Sequence, residues 1–463
     1  MRLSPTLLTA ALSTLALTAA SGAHAACVES PAGTYVCDAS SDQIDGLRDD
    51  NDDVSITIQA GATVLNNGGP NGGDGLRVRG DNTLVVIETG ASGPGRIIAT
   101  GDAVDSGDDG TGLHVINAGE MRSDSRGVNA DNENNVTVEN SGLIDVLDDG
   151  IRLGDGLNAV LTNTGQILSG DEGLEAGDDA RVTNGLGALI QATEDAVQVA
   201  ENALIVNQGV IESTDIDRVT GLDSPGVDPT GDGIDLDSGQ IFNTGIITAA
   251  DGAGIDFDAS TVAESLIVNS GEITGRVGIE VELGSVDPAN TMRQVVFNDG
   301  KITGLDGIAI ELGAGEDLVG IFDDLSALSG LSPIPLGSAS APEINGTVDL
   351  GDDDDLLAIA NLATGGMIYQ GVLDGLFDGG AGFDTALFTA DLSELLNVKG
   401  RASDLRLTFG NGTDSRELHL VNFEGFRFGA DPVTGSQGQF VSARALAPVP
   451  LPAGVVLLGG ALA

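Results

Sequence analysis

Hydrophobic and polar residues alternate in steps of two along most of the chain, and one turn motif punctuates the alternation. Seven times an aliphatic residue and one residue of any kind precede Asn-x-Gly, with another aliphatic residue following. The asparagines are Asn117, Asn140, Asn163, Asn207, Asn243, Asn269 and Asn298, in stretches such as VINAGEM, VENSGLI and LTNTGQI. The first three stand 23 residues apart, and a degenerate copy at Asn184 (VTNGLGALI) fills the longer step to Asn207. Aliphatic residues sit two positions before each Asn (Val115, Val138, Leu161, Ile205, Ile241, Ile267, Val296) and four after it (Met121, Ile144, Ile167, Ile211, Ile247, Ile273, Ile302). Steps of two place side chains on one face of an extended segment. The Gly marks a bend that needs either φ > 0 or tight packing. A fixed period in the twenties predicts stacked coils with an aliphatic core and an Asn ladder at one corner, where turn amides satisfy each other.

A second motif runs in phase with the first: RGVNA (126–130), DGIRL (149–153), EGLEA (172–176), DAVQV (195–199), DGIDL (232–236), AGIDF (253–257), VGIEV (277–281) and DGIAI (306–310). Aliphatic residues flank a polar, often acidic one such as Glu175, Asp235, Asp256 or Glu280. Each coil therefore holds at least two short strands, and no stretch shows helical spacing. The expected fold is all-β, a parallel β-helix. Stretches 214–232 and 284–291 read as loops inserted at turns, where solenoids tend to carry binding sites.

The organisation follows from these patterns. Residues 1–25, with Arg2, an apolar stretch and AHA at 23–25, read as a secretory signal peptide, so the mature chain is expected to begin at Ala26. Residues 26–50 form an N-terminal cap, in which Cys27 and Cys37 are expected to pair in an oxidising compartment, with lipid attachment at Cys27 as the alternative. Coils occupy 51–322, a Ser/Pro-rich interruption 323–343, and a smaller C-terminal β segment 344–445. At 446–463 the composition changes to an apolar tail.

Charge narrows the partners. With 71 acidic against 19 basic residues and a formal charge of −52, the chain repels nucleic acid and anionic lipid. The 41% hydrophobic content and its periodicity exclude a disordered acidic chain. Acidic pairs (Asp148/Asp149, Asp178/Asp179, Asp235/Asp237, Asp256/Asp258) raise the alternative of a glycoside hydrolase or polysaccharide lyase acting on acidic polysaccharide, with Arg152, Arg181 or Arg276 as a lyase base. Such pairs also arise by chance in an Asp-rich repeat. The histidines, His24, His114 and His419, read as structural or as part of the leader, and polygalacturonase motifs are missing. Sequence therefore gives no catalytic residue.

Three resemblances add to this reading. GGAGFDTAL (379–387) resembles the RTX nonapeptide through Gly379, Gly380, Gly382 and Asp384, with related fragments GAGED (313–317) and LGDDDDLL (350–357). The resemblance implies structural Ca²⁺ near Asp317, Asp352, Asp354, Gly380, Gly382 and Asp384, since calcium prefers oxygen ligands. RTX sites come in tandem, whereas these three turns are tens of residues apart. Val449-Pro450-Leu451-Pro452-Ala453 is similar to the VPLPA-type PEP-CTERM sorting signal of Gram-negative bacteria, implying an exosortase-type partner. It departs from that pattern in its end: 11 residues follow Pro452, short of the ~20 that span a bilayer, with no Arg cluster. The repeats as a whole resemble the right-handed passenger β-helices of autotransporters and haemagglutinin-like proteins. Together these imply an exported structural or adhesive protein at the cell envelope or outside the cell, with extracellular polysaccharide or surface proteins as partners.

Overall fold

The computed structural model describes residues 26–447 apart from 40–44, 69–71, 108–109, 215–230, 259–262, 282–291, 329, 331, 337–340, 361, 363–370, 411–414 and 432–435. The leader (with His24), the VPLPA motif and most of both inserted loops thus lie outside the described residues.

The chain winds as a parallel β-helix with three short strands per coil. In one coil these are His114–Asn117, Glu120–Ser123 and Val128–Asn129; in the next, Thr137–Asn140, Leu143–Val146 and Ile151–Arg152. Each strand pairs in parallel and in register with its counterpart one coil on, for example Val115 with Val138, Met121 with Ile144 and Val128 with Ile151. Among the described residues the first strands, with antiparallel strands added at either end, build a seventeen-stranded sheet, and the second and third strands, with antiparallel strands added near the C-terminal end, a twenty-five-stranded one. At ~4.8 Å per coil the rod is roughly 70 Å long.

What reads in sequence as one extended segment through Asn-x-Gly is two strands meeting at a corner. The two-step alternation survives the bend, so inward-facing positions continue around it. The aliphatic residues on both sides of each Asn are at most 2% exposed. Burying one such side chain contributes about 1.5–3 kcal/mol. The glycine is explained by stacking rather than by a left-handed backbone: a β-carbon at Gly142, Gly165, Gly245 or Gly271 would fall on the carbonyl oxygen of the preceding coil's turn. None of these four has a positive φ.

The asparagine ladder is continuous. Asn117 Nδ2 donates to Asn140 Oδ1 at 2.8 Å, and the relay runs through Asn163, Asn184, Asn207, Asn243 and Asn269 to Asn298 at 2.8–2.9 Å. Each of these amides from Asn117 to Asn269 also donates to a backbone carbonyl of the next coil, such as Ile246 O from Asn207 at 3.0 Å. Fully buried amides are therefore saturated with partners. Beyond both ends the column turns apolar: Ile87 and Ile58 precede Asn117, and Ile321, Ile359, Phe388 and Phe428 follow Asn298.

A second column of turn residues escaped the sequence reading. Asp53, Asn82, Asn135, Asn158, Asp179 and Asn202 all have φ of 57–61°. They make the turn from a third strand into the next coil, where Asn and Asp tolerate the left-handed conformation. Their signal in sequence is an Asn or Asp just before the small or β-branched residue (Val54, Thr83, Val136, Ala159, Ala180, Ala203) that leads into each first strand.

Both ends are closed. Ala26–Glu29 runs antiparallel to Thr34–Asp38, Cys27 is disulfide-bonded to Cys37, and Thr34–Cys37 pairs with Ser55–Ile58 of the first full coil. At the other end the coils continue through Glu343–Asp349, Leu356–Ile359, Thr385–Phe388 and Gly425–Asp431. Antiparallel strands Leu395–Arg401, Asp404–Gly410 and Ser415–Val421 then cover the core. There Phe388 packs against Phe409 and Phe428, with ring centroids 5.0 and 5.5 Å apart. Fully buried Phe409 is the centre of this lid. Phe409→Ala is expected to destabilise the protein by about 3–5 kcal/mol and to promote aggregation from the opened end. Urea unfolding followed by light scattering measures both.

Candidate cation sites along the acidic columns

The three acidic turns singled out in sequence stack on one another. Residues 313–317, 351–355 and 380–384 lie in register through the bridges Ala314 to Asp352 and Asp352 to Ala381. Their last residues form a buried column: Asp384 Oδ1 accepts from the Asp355 amide at 2.9 Å, and Asp355 Oδ1 from the Asp317 amide at 2.8 Å. Asp317 Oδ1 accepts from the Gln294 amide at 2.7 Å. All three carboxyls are at most 2% exposed, and the second oxygen of each is buried without a hydrogen-bond partner among the described residues. Burial is the main cause of their raised pKa values, about 7 for Asp317, about 8 for Asp355 and about 6 for Asp384.

The structure thus brings Asp317 and Asp384 together and inserts between them Asp355, which sequence reasoning missed. Asp352 and Asp354 lie on the exposed side of the middle turn, where Asp354 accepts from the Phe383 amide at 2.8 Å. Gly380 and Gly382 supply the close approach: a β-carbon there would strike the carbonyls of Gly351 and Asp353. Buried carboxylate oxygens without a hydrogen-bond partner are hard donors of the kind that a calcium ion takes.

The third strands carry a longer column. Asp235, Asp256, Glu280, Glu311, Asp349 and Asp378 are successive register partners, one per coil. Like charges facing each other across strands repel. Burial, followed by repulsion from Asp195 and Asp258, pushes Asp235 up to about 8, and burial raises Glu311 and Asp349. Arg276 bonds Glu280 at 2.7 Å.

The candidate acid pairs are placed by the same register. Asp235/Asp237 and Asp256/Asp258 alternate along or just beyond third strands, while Asp178/Asp179 occupies a turn. Asp148/Asp149 lies at the corner between second and third strands, near Arg126 and Arg152. Arg181 is exposed on a first strand. His114 contacts Glu139 at 3.0 Å and His419 contacts Asp404 at 2.9 Å, both at the surface.

No protein-family model, curated protein or solved structure matches the chain.

Proposed function

We propose that the protein is an exported structural or adhesive rod, sorted by its C-terminal tail to the cell envelope or surrounding matrix of a Gram-negative bacterium. The observation that carries this reading is the even spread of its chemistry: the same acidic column recurs in six successive coils from Asp235 to Asp378. Repetition along a rigid scaffold suits a protein that holds many equivalent contacts. An anionic rod meets acidic polysaccharide or another acidic surface protein through divalent cations, which neutralise both partners. The Asp317–Asp355–Asp384 column supplies a structural Ca²⁺ position of the kind implied by the RTX-like turn. A signal peptide at 1–25 and the VPLPA-type motif at 449–453 give the route, with an exosortase-type enzyme as the sorting partner.

The experiment is cell fractionation of the source bacterium expressing full-length protein or a chain lacking 446–463. The truncated protein is expected in the medium and the full-length chain in the envelope fraction. Retention of the truncated chain overturns the sorting part of the proposal. A reducing-end and unsaturated-product assay on polyuronates, with and without Ca²⁺, tests the enzyme alternative; turnover there would replace the structural reading.

A further inference from the structure

The C-terminal lid covers the core but leaves two strand edges. Ser436–Ser442 runs antiparallel to Gly425–Asp431 as the last strand of the first-strand sheet, and no other described strand pairs with it. Leu395–Arg401 holds the same place in the other sheet, paired with Asp404–Gly410. The two edges differ in chemistry. Lys399 and Arg401 stand on the second, and charged side chains of this kind keep a foreign strand from adding to an edge. Ser436–Ser442 (SQGQFVS) carries no charge and no proline. Six of its seven residues are exposed, Phe440 by 47%, and the Arg427 guanidinium lies over that ring at 5.6 Å. An open edge offers backbone N–H and C=O groups, so the occupant that fits it is another extended strand.

Charge decides where a second copy of this chain can approach. Residues 395–446 carry six basic side chains (Lys399, Arg401, Arg406, Arg416, Arg427, Arg444) against five acidic ones, whereas the whole chain carries 19 against 71. Elsewhere two copies present strongly acidic surfaces that repel each other. At this end the charges nearly balance, and Leu396, 46% exposed, adds apolar surface. Position adds to the argument. Thr385–Phe388, Gly425–Asp431 and Ser436–Ser442 follow one another along the direction of coil stacking. A strand added beyond Ser436–Ser442 therefore continues the sheet along the rod, and the acidic coils of the two molecules extend away from each other. A twofold axis at the junction sets the two edge strands antiparallel, which is the pairing Ser436–Ser442 already makes on its other side.

We infer that the protein dimerises through its C-terminal lid, each copy adding its uncharged edge strand Ser436–Ser442 to the other's sheet and covering Phe440 at the junction. Main-chain hydrogen bonds supply the affinity. The product is a collinear rod about twice the length of one molecule, with an N-terminal cap at each outer end. The dimer stands or falls separately from the proposed function, since it needs neither a cation nor a polysaccharide.

Analytical ultracentrifugation of the full-length mature chain in EDTA, over a range of concentrations, tests this, with small-angle scattering to measure length. Wild type is expected to form a reversible dimer whose maximum dimension is about twice that of the monomer. Phe440→Ser and the double variant Gln437→Glu/Gln439→Glu, all at exposed positions, are expected to weaken dimerisation by about tenfold or more. Leu186→Ser, at a leucine 88% exposed away from the lid, should dimerise as wild type does. The inference is overturned if wild type stays monomeric, forms a dimer no longer than the monomer, or grows into open-ended chains, which marks a head-to-tail contact. It is equally overturned if Leu186→Ser loses the dimer. Folded Phe440→Ser or double-variant chains that dimerise like wild type also overturn it, as association through the apolar tail would produce.

Discussion

Asn207→Asp should destabilise the rod by about 3 kcal/mol or more at neutral pH, although it changes one atom and no volume. The Asn207 amide donates to Asn243 Oδ1 and to Ile246 O, while its oxygen accepts from Gly209 and from Asn184. An aspartate keeps both acceptor bonds and turns both donor bonds into repulsions between oxygens. It also buries a charge at a position with no exposure. Asn207→Leu removes the amide without adding charge, and Asn184 Nδ2 retains Val210 O. Its expected cost is smaller, about 1–3 kcal/mol. Urea midpoints should therefore fall in the order wild type, Leu, Asp. Lowering the pH to 4 should recover part of the Asp variant's loss by protonating the new carboxyl. An Asp variant as stable as the Leu variant would contradict the ladder as a source of stability.

The second large effect concerns pH. Asp384, Asp317 and Asp355 hold their protons to about 6, 7 and 8 in the folded chain, chiefly because they are buried. In the unfolded chain they ionise near the ordinary value of 3.8. A raised carboxyl contributes its full stability below the unfolded value. That contribution is lost as pH rises, since the unfolded state then binds fewer protons. Each unit of displacement corresponds to about 1.4 kcal/mol, so the three together make a difference of several kcal/mol. In chelator the protein should be most stable near pH 4–5, and these three carboxyls should cost it stability steadily up to about pH 8. Carboxyls held low, such as Glu120, where bonds from Arg122 and Arg96 outweigh the effect of burial, oppose this trend only at the acid end. Urea midpoints measured from pH 4 to 9 in EDTA check the slope. Excess Ca²⁺ should flatten the slope if the stacked turns take the ion. Asp355→Asn should flatten it without calcium, because an amide has no proton to lose.

The fold was legible because its determinants are local and periodic. Asn-x-Gly at a 23-residue step states the coil length, the corner and the inward face at once. The number of strands per coil was less legible, because alternation in steps of two passes through a bend without a break in phase. Gly275 illustrates a related case: Glu272–Val281 runs as one strand with a bulge, as do Lys301–Glu311 and Glu343–Asp349 after it, where the preceding coils use two. The site residues divide by the same logic. Asp317 and Asp384 each end a glycine-containing turn and were found from that position. Asp355 was missed because four successive aspartates, Asp352 to Asp355, give no phase by which to choose the buried one. Asp149 of the candidate acid pairs meets Glu172 and Glu175 only when coils stack, so their proximity is a property of the register between copies.

The direction of the asparagine relay has a consequence for how the rod is completed. Every Nδ2 from Asn117 to Asn269 points toward the coil that follows it in sequence, and the last, Asn298, turns back to its own Gly300 carbonyl. A coil emerging from synthesis therefore lacks these acceptors for its own buried amide until its successor has formed. A chain ending after any one of these coils would leave both N–H groups of its last ladder amide without these partners, in addition to a bare sheet edge. That requirement passes forward coil by coil and ends at Asn298, whose amide bonds its own turn and whose successor in the column is Ile321.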